Sequence, residues 1–122
     1  MNKRRLGRIG EFLACIYLKT HGYRILARNH SSPIGEIDII AEDNGVLVFI
    51  EVKTRQSKRY GLPEEAIDTK KKRKLTCLAL LYIKYKNLYD KKARFDVVSV
   101  LIPGIFAGKT IKIIKNAFYA EE

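Results

Sequence analysis

The stretch "GEIDIIAEDNGVLVFIEVKTR", Gly35 to Arg55, constrains the fold more than any other. Asn44-Gly45 between two apolar runs is a strong hairpin signal, because a type I′ turn needs positive φ at both central residues. A two-residue turn fixes the register: Asp43 faces Val46, Ile40 faces Phe49, Asp38 faces Glu51 and Glu36 faces Lys53. One face of the hairpin then carries Ile37, Ile39 and Ala41 opposite Val52, Ile50 and Val48, which is wholly apolar and predicts core.

The other face runs from Ile40 and Phe49 into two acids, Asp38 and Glu51, and then into Glu36 and Lys53. Directly opposed side chains have Cβ atoms ~5 Å apart. Two ionised carboxylates there repel by roughly 3 kcal/mol at an effective dielectric of about 20. Either one carboxyl stays protonated or a hard divalent cation such as Mg²⁺ or Mn²⁺ sits between them. Lys53 lies on the same face as Glu51, where its ammonium could align a water attacking a phosphodiester. The plainer reading is a cross-strand Glu36–Lys53 ion pair, with Asp38 and Glu51 each meeting other surface cations. The constellation of acid, opposed acid and adjacent lysine in an apolar hairpin favours the cation site.

Around the hairpin the order is helix, three strands, helix, two strands. Ile9, Phe12, Leu13, Ile16 and Tyr17 recur at helical spacing over Arg8–Thr20 and predict the face packed on the sheet. A second stripe of the same helix holds Glu11, Ala14, Cys15 and Leu18, which makes Glu11 an unusual solvent residue. Tyr23–Asn29 reads as a first strand leading into the loop "HSSPIG", Gly35–Glu42 and Val46–Thr54 as the hairpin. Beyond Gly61-Leu62-Pro63 a helical stretch runs to about Lys86, with Ile67, Leu75, Leu78, Ala79 and Tyr82 inward and Lys71 on that same face. Arg94–Ile102 is a fourth strand, and Thr110–Lys115 a fifth, placed at an edge by its lysines. The connection between strands three and four is long enough for a crossover, so the sheet is mixed and covered by helices. With 122 residues the chain fits one domain.

Lys and Arg number 24 against 13 Asp and Glu, a net charge of +11 that points to polyanions, nucleic acid before anionic membrane. Cys15 and Cys77 fall in apolar helical patterns without a CxxC partner and predict reduced core thiols. His21 and His30 are isolated and suit surface or capping roles. The apolar run Phe12–Leu18 is too short and too closely flanked by charge for a signal peptide, and nothing approaches the ~20 apolar residues of a spanning helix. A cytoplasmic location follows as the expectation.

With acid, spacing and "EVK" in place, the chain resembles the PD-(D/E)XK nuclease superfamily, whose signature is an acid on one strand and (Asp/Glu)-x-Lys on the next, here Asp38 and Glu51-Val52-Lys53. More narrowly it resembles the YraN-like family of small bacterial proteins through "GEFLACIYL", "GYRILARN", "GEIDIIA", "FIEVKTR" and "RFDVV", five collinear segments over nearly the full length. The resemblance implies a restriction-endonuclease-like α/β sandwich, similar to archaeal Holliday-junction resolvases, with a mixed five-stranded sheet in the order α-β-β-β-α-β-β. It implies metal held by Asp38, Glu51 and the Val52 backbone carbonyl, with Glu11 joining from the first helix and Lys53 positioning the nucleophilic water. Lys71 takes the place of a polar helix residue that points to the site in the superfamily. Ile37 stands where the nominal proline would be, and Glu36 is an additional acid that could pair with Lys53 or Arg55 or hold an outer water.

The expected function is Mg²⁺- or Mn²⁺-dependent hydrolysis of phosphodiesters in structured or branched DNA, with DNA favoured over RNA as partner. Arg4, Arg5, Arg55, Lys58, Arg59 and the run Lys70–Lys74 could track phosphates. Resolvase likeness admits a homodimer, because two strands need cutting. Two rivals stand beside this: a non-catalytic nucleic-acid-binding module on a nuclease fold, and an adaptor using its basic face on a protein or anionic membrane. The second has little support, since no strongly amphipathic exposed helix stands out.

Overall fold

The structure is a computed structural model describing residues 2–57, 67–104 and 108–120. Its elements are α1 (Lys3–Thr20), β1 (Arg24–Ser32), β2 (Gly35–Asp43), β3 (Val46–Arg55), α2 (Thr69–Lys86), β4 (Ala93–Leu101) and β5 (Thr110–Phe118). The strands lie side by side in chain order, β3 and β4 parallel and the other neighbours antiparallel. This is the mixed α/β sheet expected, and it fits the nuclease-like sandwich, with β5 at an edge. No helix of the described residues is long and apolar enough to cross a membrane.

Local chemistry sets the breaks. Asn2 caps α1 by accepting from the Arg5 N–H at 2.8 Å, and His21 closes the other end, its Nδ1 2.8 Å from the Tyr17 carbonyl. Asp68 caps α2 by accepting from the Lys71 N–H. Asn44 (φ 50°) and Gly45 (φ 81°) form the left-handed turn their types allow, and Asp43↔Val46 through Ile39↔Ile50 pair as the turn dictates. The segment read as a loop after Asn29 is strand: β1 continues to Ser32, which pairs with Gly35 across a turn of only Pro33 and Ile34.

Each face of the sheet has its own core. Ile40, Leu47, Phe49, Val97 and Phe118 meet Ile67, Leu75, Leu78, Ala79 and Tyr82, the inward set expected of the second helix. Ile39, Ala41, Val48, Ile50, Val52, Val98 and Val100 meet Ala14, Cys15 and Leu18 of α1. Two expectations fail here. Phe12 and Ile16 are 55% and 47% exposed, and α1 instead buries Leu6, Gly10, Ala14, Cys15 and Leu18. Small side chains let the helix backbone lie close to the sheet, which bulky Phe12 and Ile16 would prevent. Cys77 is also exposed, whereas Cys15 is buried as expected.

A buried polar knot ties the far end of the hairpin to β4 and β5. Asp96, fully buried, accepts from Tyr23 Oη (2.9 Å), Arg94 Nε (2.9 Å) and the Asn116 N–H (3.1 Å). Arg94 Nη2 also reaches Asp43 at 2.7 Å, and Lys115 approaches the same carboxylate at 3.3 Å. A buried acid with this many partners is compensated and fixed.

Gly10 marks the closest approach of α1 to the sheet. A Cβ there would overlap the Thr54 hydroxyl and lie 2.8 Å from Thr54 Cβ. Gly10→Ala should therefore lower unfolding free energy by about 1–3 kcal/mol despite the better helix propensity of alanine. Thr54→Ala should recover part of the loss in urea titration, and a Gly10→Ala protein at least as stable as wild type would contradict this packing.

Candidate metal centre

The hairpin ladder stops at Ile39↔Ile50, so the facing pairs Asp38/Glu51, Ile37/Val52 and Glu36/Lys53 do not form as regular cross-strand pairs. Beyond that point β2 stays with β1 and β3 stays with β4, so the two hairpin strands fork. Asp38 bridges the fork: its Oδ2 accepts from the Val52 N–H at 2.8 Å, replacing a backbone carbonyl that has moved away. The recorded contact from Val52 to the acids is thus through its amide hydrogen.

β2 also changes face at this point. Ile37 packs in the α2-side core with Ile40, while Ile39 packs on the α1 side, so the wholly apolar face expected from strict alternation is broken at Asp38. Asn29, which the register sets opposite Asp38, has φ 48° and drops out of the pairing between Arg28↔Ile39 and His30↔Ile37. The result is that Glu36 and Asp38 both approach Glu11 of α1: one oxygen from each of these carboxylates lies within 4.8 Å of the others, a group able to hold a metal ion.

Glu51, next to Asp38, is 8% exposed, and its Oε2 is buried without a hydrogen-bond partner among the described residues. Lys71 Nζ stands 3.8 Å from that oxygen, an ion-pair distance but too long for a hydrogen bond. Burial first, then the Asp38 charge, pushes Glu51 up to about 7, with Lys71 and Lys53 opposing. Asp38 is also raised by burial, against the Val52 hydrogen bond and one shared with Glu51. Glu11 is raised by burial and then by Asp38 and Glu36. Burial and mutual repulsion thus hold all three carboxyls above their ordinary ranges.

Glu11, Glu36 and Asp38 form a set of hard carboxylate donors, which fits a hard divalent cation better than a soft one, and Glu51, whose Oε2 is orphaned among the described residues, lies beside Asp38 but outside that set. Asp38 with Glu51 and Asp38 with Glu11 and Glu36 are the residues that could hold it. Lys53 lies close enough to lower Glu51 and lines a cleft with Lys3, Glu11 and Arg55. A second cleft, with Lys3, Arg4, Arg8, Glu11, Asn29 and Glu36 on its walls, adjoins the first at Gly7. Arg5 is exposed and lines neither cleft, and of the run Lys70–Lys74 only Lys71 pairs with a site acid. Lys58 and Arg59 lie outside the described residues. Sequence reasoning left Glu36 undecided and did not single out Asn29; an asparagine ending a strand segment just before "HSSPIG" was the available signal.

Fold and site together define a small α/β protein of the nuclease-like sandwich type with an acid cluster at a strand fork. The chain belongs to the uncharacterised protein family UPF0102, the YraN-like family, whose model matches residues 10–100. It is 49% identical over 117 residues to a UPF0102 protein of Symbiobacterium thermophilum, covering 96% of this chain and 98% of that one. A UPF0102 protein of Persephonella marina is 48% identical over 112 residues (92% and 91%), and one of Moorella thermoacetica 43% over 118 (97% and 98%).

Glu51 generates a stability signature. Its folded pKa is above its unfolded one, so the folded state holds a proton that the unfolded chain releases. That contribution is present below pH 4.5 and is lost as pH rises to about 7. Metal-free protein should lose up to about 3 kcal/mol across this window. Glu51→Gln should melt higher than wild type at pH 8 in chelator and show a flatter pH dependence. A Glu51→Gln protein that melts lower at pH 8 would remove the argument for strain at this acid.

Proposed function

We propose that this protein is a Mg²⁺- or Mn²⁺-dependent nuclease that hydrolyses phosphodiester bonds in structured DNA, branched DNA by its resemblance to resolvases. The observation that carries the reading is Glu51: a carboxylate nine-tenths buried, short of a hydrogen bond, beside a second raised acid and within the influence of two lysines. A residue maintained for stability alone would not be left in this state.

When bound, the cation supplies Lewis-acid stabilisation of charge developing on the phosphate. The chain's own groups do the rest. Asp38, Glu11 and Glu36, with Glu51 beside Asp38, would provide the oxygens that hold it. Asp38 is fixed by Val52, so its position is set by the backbone of β3. Lys53 lines the same cleft as Glu11 and can orient a water for attack or hold a phosphate oxygen. Lys71 lies on the α2 side of Glu51 and keeps the site from excess negative charge before substrate arrives.

The two clefts give the polyanion a route. Lys3 and Gly7 line both, Arg55 lies along one, and Arg4 and Arg8 along the other. A Cβ on Gly7 would meet nothing within 4 Å, so packing does not require glycine there, and a helix-interior glycine costs about 1 kcal/mol against alanine. A bare helix surface between the clefts suits a strand crossing it.

The test is incubation of purified protein with single-stranded, duplex, flap and four-way DNA and Mn²⁺. Wild type should cleave, and Asp38→Ala and Lys53→Ala should each lose at least about 100-fold. Equal cleavage by all three would identify a contaminant. Salt-sensitive binding with no metal-dependent cleavage would leave a nucleic-acid-binding module instead. Independently, Gly7→Leu should keep or raise the melting temperature yet bind DNA several-fold more weakly by fluorescence anisotropy. Unchanged affinity would remove the crossing point from the route.

A further inference from the structure

We infer that Asn29 is a positioning residue that clamps Glu11 and Glu36 together beside Asp38, and so presets the acid cluster for a divalent cation. The inference rests on the metal-dependent reading above and adds a residue to it.

Glu11 and Glu36 come from different elements, α1 and the start of β2, and each has a long side chain with rotamer freedom. Their negative charges repel each other and Asp38, and Glu36 is exposed, so without a restraint it would turn to solvent. Asn29 supplies that restraint. With its amide nitrogen facing the acids, it donates to Glu11 Oε2 at 2.9 Å and to Glu36 Oε1 at 3.1 Å. The opposite orientation would set the amide oxygen against two carboxylates. Ser31 Oγ adds a longer contact to Glu36 Oε2 at 3.3 Å.

Two properties single out asparagine. First, the amide is neutral: it orders two carboxylates without cancelling the charge a cation requires, which lysine or arginine would do. Second, position 29 is left-handed, with φ 48°, a conformation readily adopted by glycine, asparagine and aspartate. Glycine has no donor and aspartate would add another acceptor. Of the three, asparagine alone satisfies both the backbone and the cluster. The same left-handed residue interrupts the β1–β2 pairing opposite Asp38, where β2 changes face and brings Glu36 and Asp38 toward α1. Backbone and side chain of one residue thus act on the same three acids.

The experiment uses the full chain with Asn29→Gly, which tolerates the backbone and removes only the amide. Asn44→Gly, the same change at a left-handed position in the hairpin turn, is the control. Mn²⁺ binding is followed by calorimetry without DNA. Asn29→Gly should weaken Mn²⁺ about tenfold, as loss of a partner to metal-binding side chains typically does, with a melting temperature in chelator close to that of Asn44→Gly. In cleavage assays the Mn²⁺ concentration for half-maximal rate should rise about tenfold, while the rate at saturating Mn²⁺ stays within about threefold. Wild-type binding of Mn²⁺ with unchanged affinity in Asn29→Gly overturns the clamp alone. Failure of wild type to bind Mn²⁺ overturns the cation site and the clamp with it. Should Asn29→Gly fold poorly, the side-chain amide of Asn29 in the otherwise wild-type chain is read by NMR: its signal should shift on Glu36→Ala, and an indifferent signal overturns the contact.

Discussion

The Asp38–Val52 hydrogen bond is the constraint from which the site follows. An antiparallel hairpin that continued its ladder would satisfy Val52 with a backbone carbonyl and press Asp38 against Glu51 as a regular pair. Here β2 leaves β3 after Ile39, and the exposed N–H is taken by a carboxylate at 2.8 Å. This fixes one acid to the backbone, opens a wedge between the strands and leaves Glu51 beside it with Lys71 of α2 facing its carboxylate. The helix then closes over the wedge: Gly10, Ala14 and Cys15 allow the approach that brings Glu11 within reach of Asp38 and Glu36. The exposure of Phe12 and Ile16 follows from the same geometry, because the stripe that carries Glu11 is the one turned inward.

The two ends of the hairpin make an internal comparison. At the turn end, Asp43 and Asp96 are buried too, but Arg94, Tyr23, Lys115 and the Asn116 N–H surround them, and the Arg94 hydrogen bond and Lys115 hold Asp43 below the usual carboxylate range. Arg94 is raised by its acid partners in spite of burial. Those charges are compensated and structural. At the open end the carboxyls are raised, and among the described residues one oxygen lacks a hydrogen bond and the Lys71 ammonium stands off at 3.8 Å. One chain therefore satisfies buried acids fully in one place and incompletely in another. The contrast singles out the open end as the candidate site without appeal to family.

Much of this was legible in the residues. Asn-Gly chemistry gave the turn and the five pairs adjoining it, and helical spacing gave the inner face of α2 and the anomaly of Glu11. What failed did so for identifiable reasons. Counting by two assumes an unbroken strand, and a left-handed Asn29 on the neighbouring strand is not visible from β2's own sequence, so Ile37 was assigned to the wrong face. Ranking α1's stripes by bulk favoured Phe12 and Ile16, whereas close packing on a sheet selected small residues. "HSSPIG" looks like a loop because Ser, Pro and Gly favour turns, yet pairing with β2 carries the strand to Ser32. The Arg94–Asp96–Tyr23–Asp43 knot joins residues up to 73 apart, and no local pattern encodes it.

The raised acids also bear on how the fold tolerates two adjoining carboxyls when no cation is bound. Fully ionised, Asp38 and Glu51 would oppose each other in a site with few compensating donors. Burial raises both carboxyls, and protonation of either one would relieve that repulsion. Under the proposed metal-dependent reading, a divalent cation would take the place of that proton near neutral pH, with more charge and more bonds to oxygen. By the same reading the fold carries a stability deficit near neutral pH, where the cation would bind. Lys71 limits that deficit: at 3.8 Å it moderates the field at Glu51 without occupying the oxygen that remains open.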